Sequence, residues 1–344
     1  MGSFLMDIGS AVGDIFLPRT CVVCGKRLLL RERFLCLPCA ADLPLTYFWT
    51  VDHNPMADKL NALIERRLSA VVPSGSSVAT GSSSAAGLLS AAEPVSAAGL
   101  LSGAEPYARA AALFYYNSQA PYRKIPQALK YQGAVRSGRH FARMLGRHLA
   151  GSSLYADVDL VIPVPLHWTR RRQRGYNQAA VIAREVASAL GVPMEERLLR
   201  RHRRTRTQTR LTVEQKAANV GGAFAVRPRR LARLLRAASP GPHRGTAVVG
   251  TFKPGFVPGD AGMTVAGADS GHFVPGDVRT AVSGTDSGLF FPGRLHLLLV
   301  DDVFTTGATL EACHAALRAA FSAAGIGPGR VRISVATLAF VGRP

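Results

Sequence analysis

The chain has 344 residues, of which 47% are hydrophobic, and it carries a formal net charge of +20 with a pI near 10.8. That composition excludes a disordered chain and leaves room for one sizeable core plus small modules. No apolar run is long enough to span a bilayer, and the charge points to polyanionic partners.

In chain order, residues 4–17 place Phe4, Ile8, Val12 and Ile15 roughly on one face, which predicts a short helix. The same stretch holds Asp7 and Asp14 and no basic leader, so the expectation is a cytoplasmic protein. Cys21-Val-Val-Cys24 and Cys36-Leu-Pro-Cys39 follow as two C-x-x-C knuckles. Such a pair can bring four thiolates to one tetrahedral Zn²⁺ and fold a segment too small to hold itself. Disulfides are the alternative, weakened because nothing in the chain points to an oxidising compartment. Residues 1–50 are therefore read as an N-terminal helix and zinc module. Residues 51–107 read as a linker, because 73–106 is rich in Ala, Ser and Gly and repeats an eleven-residue unit in tandem.

From residue 108 strands and helices alternate. A strand is predicted at 111–116, helices at 125–131 and 137–149, and a strand at 158–162 that runs into Pro163-Val164-Pro165. Proline cannot donate to a ladder, so the strand should stop there and a stiff loop follow. Arg174-Gly-Tyr-Asn177-Gln178 then leads into a helix that Gly191 and Pro193 close at about residue 190. A mobile basic hairpin is expected next. Residues 237–293, which repeat the phrase Asp-Ser-Gly-x-Phe-x-Pro-Gly, read as a flexible insertion.

The most informative stretch comes last. Residues 295–300 read as a buried parallel strand, and Asp301 and Asp302 fall where it runs out. Thr305, Thr306, Gly307, Ala308 and Thr309 then open into a helix over 310–323, followed by a strand over 330–341. Closely spaced amides and hydroxyls at a helix start make a phosphate cradle, and paired carboxylates accept from sugar hydroxyls and favour Mg²⁺ nearby. A P-loop ATPase strand would need G-x-x-x-x-G-K-[ST], which is absent. The alternation predicts an α/β fold, a doubly wound and mainly parallel sheet with the small zinc module in front.

The stretch from Asp301 to Thr309 resembles the phosphoribosyl pyrophosphate (PRPP) signature of type I phosphoribosyltransferases. With Leu129-Lys-Tyr-Gln-Gly133, Arg174-Gly-Tyr-Asn-Gln178, Thr205-Arg-Thr-Gln-Thr-Arg-Leu211 and Asn219-Val-Gly-Gly-Ala-Phe224 in order, the chain is similar to the ComF/GntX family of competence-associated proteins. The resemblance implies a phosphoribosyltransferase-like domain over 108–344, with ribose on Asp301 and Asp302 and the 5′-phosphate on Thr305 to Thr309. It further implies pyrophosphate beside Pro163, Val164, Pro165, Arg174, Asn177 and Gln178, structural Zn²⁺ on the four cysteines, and Mg²⁺ arriving with PRPP.

Two functions follow from it. One is transfer of a phosphoribosyl group to an acceptor the sequence does not name, in a protein serving DNA uptake. The other is a non-catalytic module that binds nucleotide or single-stranded DNA beside the uptake machinery. The arginine excess between Arg170 and Arg236 suits either, while the aromatics there, chiefly Tyr176 and Phe224, are sparse for a base-stacking groove.

Overall fold

The computed structural model describes residues 19–71, 105–117, 120–131, 135–202, 222–238 and 294–342. The expected helix at 4–17, the first repeat segment up to residue 104, the second from residue 239, and most of the basic hairpin lie outside the described residues.

A parallel sheet forms the centre, in the order β1 (Ala110–Tyr116), β6 (Val331–Val341), β5 (Leu295–Phe304), β2 (Leu160–Pro163). Leu297 to Val300 are wholly buried, as are most residues of β1 and β6, because helices cover both faces of the sheet. On one face lie α4 (Val135–Ala150) and α6 (Gln178–Leu190), packed on each other and on the strands. Gly146 makes that packing close, since a Cβ there would stand 2.7 Å from the Ala189 methyl. On the other face lie α2 (Pro55–Val71) and α8 (Ala308–Ala323). The doubly wound parallel α/β class expected from the sequence is the one the structure has.

Helix α2 departs from the linker expected over 51–107. Met56, Leu60 and Ile64 recur every fourth residue and are buried, each stabilising by about 1.5–3 kcal/mol. The Asn54 amide caps the helix, accepting from the Met56 and Ala57 amides at 3.1 and 3.0 Å, and donates to the Ala110 carbonyl at 3.0 Å. Asn61 exchanges two hydrogen bonds of 2.9 Å with the backbone of Ala108. The helix is thus fastened to the chain that enters β1, and belongs to the body of the fold.

Two further helices were not expected. Helix α5 (Trp168–Arg174) has no apolar stripe and is defined by its ends. The His167 ring accepts from the Thr169 amide at one end, and Gly175 takes φ 79° at the other, where it donates to the Arg171 carbonyl at 2.8 Å. Helix α7 (Pro228–Ala238) follows an antiparallel pair, β3 (Leu199–Arg201) and β4 (Phe224–Val226), that forms the base of the basic hairpin.

The N-terminal module docks on the free edge of β1. The Thr46 amide donates to the Leu113 carbonyl at 3.2 Å, and the Tyr115 amide to the Pro44 carbonyl at 2.8 Å. Tyr122 and Lys124, just ahead of and at the start of α3 (Lys124–Tyr131), reach back to the module. Lys124 Nζ donates to the Val23 carbonyl at 2.8 Å and the Tyr122 hydroxyl to Asp42 at 2.9 Å. No described helix is long and apolar enough to cross a membrane.

Candidate functional site

Strand β2 ends at Pro163, opposite Val300, while β5 continues beside β6 as far as Phe304. The expected stop at Val300 is therefore a stop of the neighbouring strand. Asp301 and Asp302 lie on a stretch of β5 that keeps one partner and has lost the other, at the carboxyl edge of the sheet where open α/β folds take ligands.

A cleft of about 200 Å³ opens there. Its lining includes Val164, Pro165, Asn177, Gln178, Asp301, Asp302, Thr305 and Thr309, together with Lys130, Arg170, Arg174 and Arg201. Sequence-expected residues from three separate stretches thus converge on one cleft. Pro163, Thr306, Gly307 and Ala308 do not line it.

Local chemistry accounts for most of Arg174-Gly-Tyr-Asn-Gln178. Gly175 ends α5 in the left-handed conformation, which turns the chain so that Arg174 faces the cleft. The Tyr176 hydroxyl donates to the Leu129 carbonyl on α3. Asn177 Nδ2 donates to the Val164 carbonyl at 3.0 Å, while the Val164 amide donates to the Val300 carbonyl at 2.8 Å, so the loop after β2 is held on both sides. Gln178 is buried and accepts from Arg174 at 3.2 Å, yet its own Nε2 donor has no hydrogen-bond partner. A buried orphan donor on a cleft wall fits an anionic ligand.

Gly307 is the residue that closes the loop onto α8. Its φ is 83°, and a Cβ there would stand 2.7 Å from the Phe304 ring and 3.0 Å from Leu63. No larger residue fits without moving β5 or α2, so the position of Thr305 and Thr309 depends on it.

Lys130 is the functional residue that sequence reasoning left without a role. Its Nζ lies 2.8 Å from Asp302 Oδ2. Burial works against the ammonium, but the charge and hydrogen bond of Asp302 outweigh it and raise the Lys130 pKa. Arg201, on β3, stacks its guanidinium 5.2 Å over the Phe224 ring of β4, which presents it to the cleft. Four cationic side chains thus face two carboxylates, a balance that favours a polyphosphate anion.

Among the described residues no cation forms an ion pair with Asp301. Burial, and next the Asp302 carboxylate, push it up to about 7. An acid ordinarily near 3.9 then holds a proton in the folded state that the unfolded chain releases, so wild-type stability falls as pH rises from about 4 to 7. Asp301→Asn has no such proton to lose. The ligand-free variant should be more stable than wild type by about 1–3 kcal/mol at pH 8, with the gap closing toward pH 4. Thermal midpoints across that range check it, and a gap that does not vary with pH would mean Asp301 is unperturbed.

The four cysteines form a second centre. Cys21, Cys24, Cys36 and Cys39 bring their Sγ atoms within 4.8 Å of one another. Tetrahedral Zn²⁺ with Zn–S near 2.3 Å needs sulfurs about 3.8 Å apart, so the set fits the ion. Cys24 and Cys36 stand 3.6 Å apart, far beyond a disulfide bond of about 2.05 Å. Burial opposes the Cys21 thiolate, but amide donors of Cys24, Cys36 and Val23 prevail and draw it down to about 6. Cys313, on α8, is a fully buried thiol outside this cluster.

The fold and its two centres define a parallel α/β protein with a basic cleft around paired carboxylates and a four-cysteine zinc-type module. The ComF resemblance read from the motifs is supported by a curated relative, Competence protein F of Haemophilus influenzae, 29% identical over 103 residues. That match covers 29% of this chain and 45% of the relative, so the chain spans less than half of the relative's length in the match. No family model matches, and neither does any solved structure.

Proposed function

We propose that the cleft binds PRPP with Mg²⁺, in a phosphoribosyltransferase-like protein that serves DNA uptake or utilisation in the cytoplasm. The observation that carries this reading is Asp301 and Asp302 side by side on β5, one paired to Lys130, within a ring of arginines. The ribose hydroxyls would donate to the two carboxylates, and the 5′-phosphate would take amide and hydroxyl donors from Thr305 to Thr309. Pyrophosphate would lie along Val164 and Pro165 toward Arg170 and Arg174, with Mg²⁺ supplying further neutralisation of its charge. In transfer, the bond from the anomeric carbon to pyrophosphate would break with its electron pair leaving on pyrophosphate, while a lone pair of the acceptor forms the new bond to that carbon and the acceptor's proton passes to solvent. The nearby carboxylates stabilise the cationic sugar electrostatically, so positioning does most of the work. The competence association comes from the name of the Haemophilus relative.

A second reading, a non-catalytic module for single-stranded DNA, is favoured by Trp168. This ring is 60% exposed on α5, with the Arg172 guanidinium 5.3 Å from its centroid, and so offers a base a stacking surface flanked by charge. Tyr176 and Phe224, the aromatics noted in the sequence, are turned inward. Calorimetry with PRPP·Mg²⁺, and separately with oligothymidylates of graded length, tests both. PRPP should bind with micromolar to millimolar affinity and release pyrophosphate once an acceptor base or amine is supplied. Binding of PRPP without release across such acceptors would favour the accessory module, and no binding of PRPP at millimolar concentration would overturn the cleft assignment.

A further inference from the structure

A second concave site lies away from the cleft, on the helical face formed by α4 and α6 and walled by the zinc module. This groove of about 410 Å³ is lined by Arg33, His140, Arg143, Arg147, Glu185 and Ser188. It shares no residue with the cleft at the sheet edge.

The charge in it is not balanced. Arg139, Arg143 and Arg147 recur every fourth residue along α4, about 6 Å apart along the axis, and so lie in one row. Among the described residues their one ion-pair partner is Glu185 on α6, which pairs with Arg143 at 2.7 Å and Arg139 at 3.6 Å. Arg147 and Arg33 have no ion-pair partner among the described residues. Arg33 is nonetheless held in place, because the adjacent Phe34 ring packs 5.1 Å from the His140 ring. Burial, with Arg147, Arg33 and Arg143 after it, depresses the His140 pKa, so the imidazole stays neutral at pH 7 and adds no charge of its own.

Cations spread over a convex surface are solvated singly. Here Arg33, from the N-terminal module, and Arg143 and Arg147, from α4, line one concavity, where a single anion can meet several guanidiniums at once. Guanidinium forks match the oxygens of phosphate as they do those of carboxylate, and a phosphoryl anion of two or more charges can engage several of these arginines together.

We propose that this groove is a binding site for a phosphoryl-bearing anion of two or more charges, supplied either as a free polyphosphate or as the backbone of a nucleic-acid strand. The zinc module then has a role beyond its own folding: it brings Arg33 to the site. The proposal does not depend on the PRPP reading of the cleft.

The test uses the 344-residue chain and the double variant Arg33→Ala/Arg147→Ala, which removes two side chains that form no ion pair among the described residues. Arg170→Ala serves as the cleft control. Each is titrated with inorganic tripolyphosphate and with oligothymidylates of graded length at low salt, after thermal midpoints confirm that it is folded. The expected result is a component of tripolyphosphate binding that the double variant weakens tenfold or more and that Arg170→Ala leaves in place. If the natural source is a strand, oligonucleotide affinity should rise with length, and the double variant should reduce the dependence of log K on log salt by about 1.4, for two phosphate contacts. If the source is a free polyphosphate, only the tripolyphosphate arm should respond. A folded double variant that binds both probes as wild type does overturns the proposal. A loss confined to Arg170→Ala does so as well, because it places all the phosphate binding in the cleft.

Discussion

Cys36→Ser should release one Zn²⁺ per chain and unfold residues 19–42 while leaving the sheet standing. Cys36 is one of four sulfurs that converge within 4.8 Å, and it also begins the short helix α1 (Leu37–Ala41), so it joins the two knuckles. Few other contacts hold the segment. Its buried side chains apart from cysteine are Val23, Leu28 and Leu35, too small a core for independent folding. Structural zinc in such modules supplies about 10–16 kcal/mol, far more than three aliphatic side chains do. The damage should stop near Leu43, because the backbone bonds of Pro44 and Thr46 to β1 involve no metal. Metal analysis and limited proteolysis check it: intact zinc in wild type, none in the variant, and new cleavage confined to the module. Freshly prepared, reduced wild-type protein without metal would overturn the zinc assignment.

How far the sequence carried the fold depends on what kind of signal each element had. Strand β5 and helix α8 were legible because an apolar run, a polar turn and a helical period follow one another without interruption. Helix α2 had a readable pattern in Met56, Leu60 and Ile64, but the repeat just downstream drew its residues into a linker. Helix α5 offered no pattern at all, since Trp-Thr-Arg-Arg-Arg-Gln-Arg is polar on every side and exists through its two caps. The same division holds for the cleft. Asp301, Asp302 and the Thr305 to Thr309 loop lie together in sequence and could be read as one motif. Lys130 stood in a recognised phrase, Leu129-Lys-Tyr-Gln-Gly133, yet its partner Asp302 is a tertiary neighbour that only the packing of α3 beside β5 reveals. Arg201 was one arginine among many until its stacking on Phe224 gave it a direction.

The Lys130–Asp302 pair leads to the second large effect. Asp302→Asn should weaken PRPP by about 1.5–3 kcal/mol, the worth of a hydrogen bond to a charged partner, and so roughly ten- to hundredfold in affinity. Inorganic pyrophosphate, which has no ribose, should lose far less, and that difference separates ribose recognition from a general loss of charge balance. Lys130→Met acts in the opposite sense on the same pair. It leaves Asp302 mostly buried beside Asp301 without its directly paired cation, so the two carboxylates repel each other more strongly in a cleft that must also admit a polyphosphate. Both ligands should then weaken together. The double variant Lys130→Met/Asp302→Asn removes the attraction and the repulsion at once, and should be less impaired than the sum of its parts by on the order of 1 kcal/mol. Calorimetry of the four proteins against PRPP·Mg²⁺ and pyrophosphate measures this coupling. Additive losses would mean that the Lys130–Asp302 pair carries no coupling into ligand binding, and equal losses for PRPP and pyrophosphate in Asp302→Asn would mean that Asp302 does not touch the ribose.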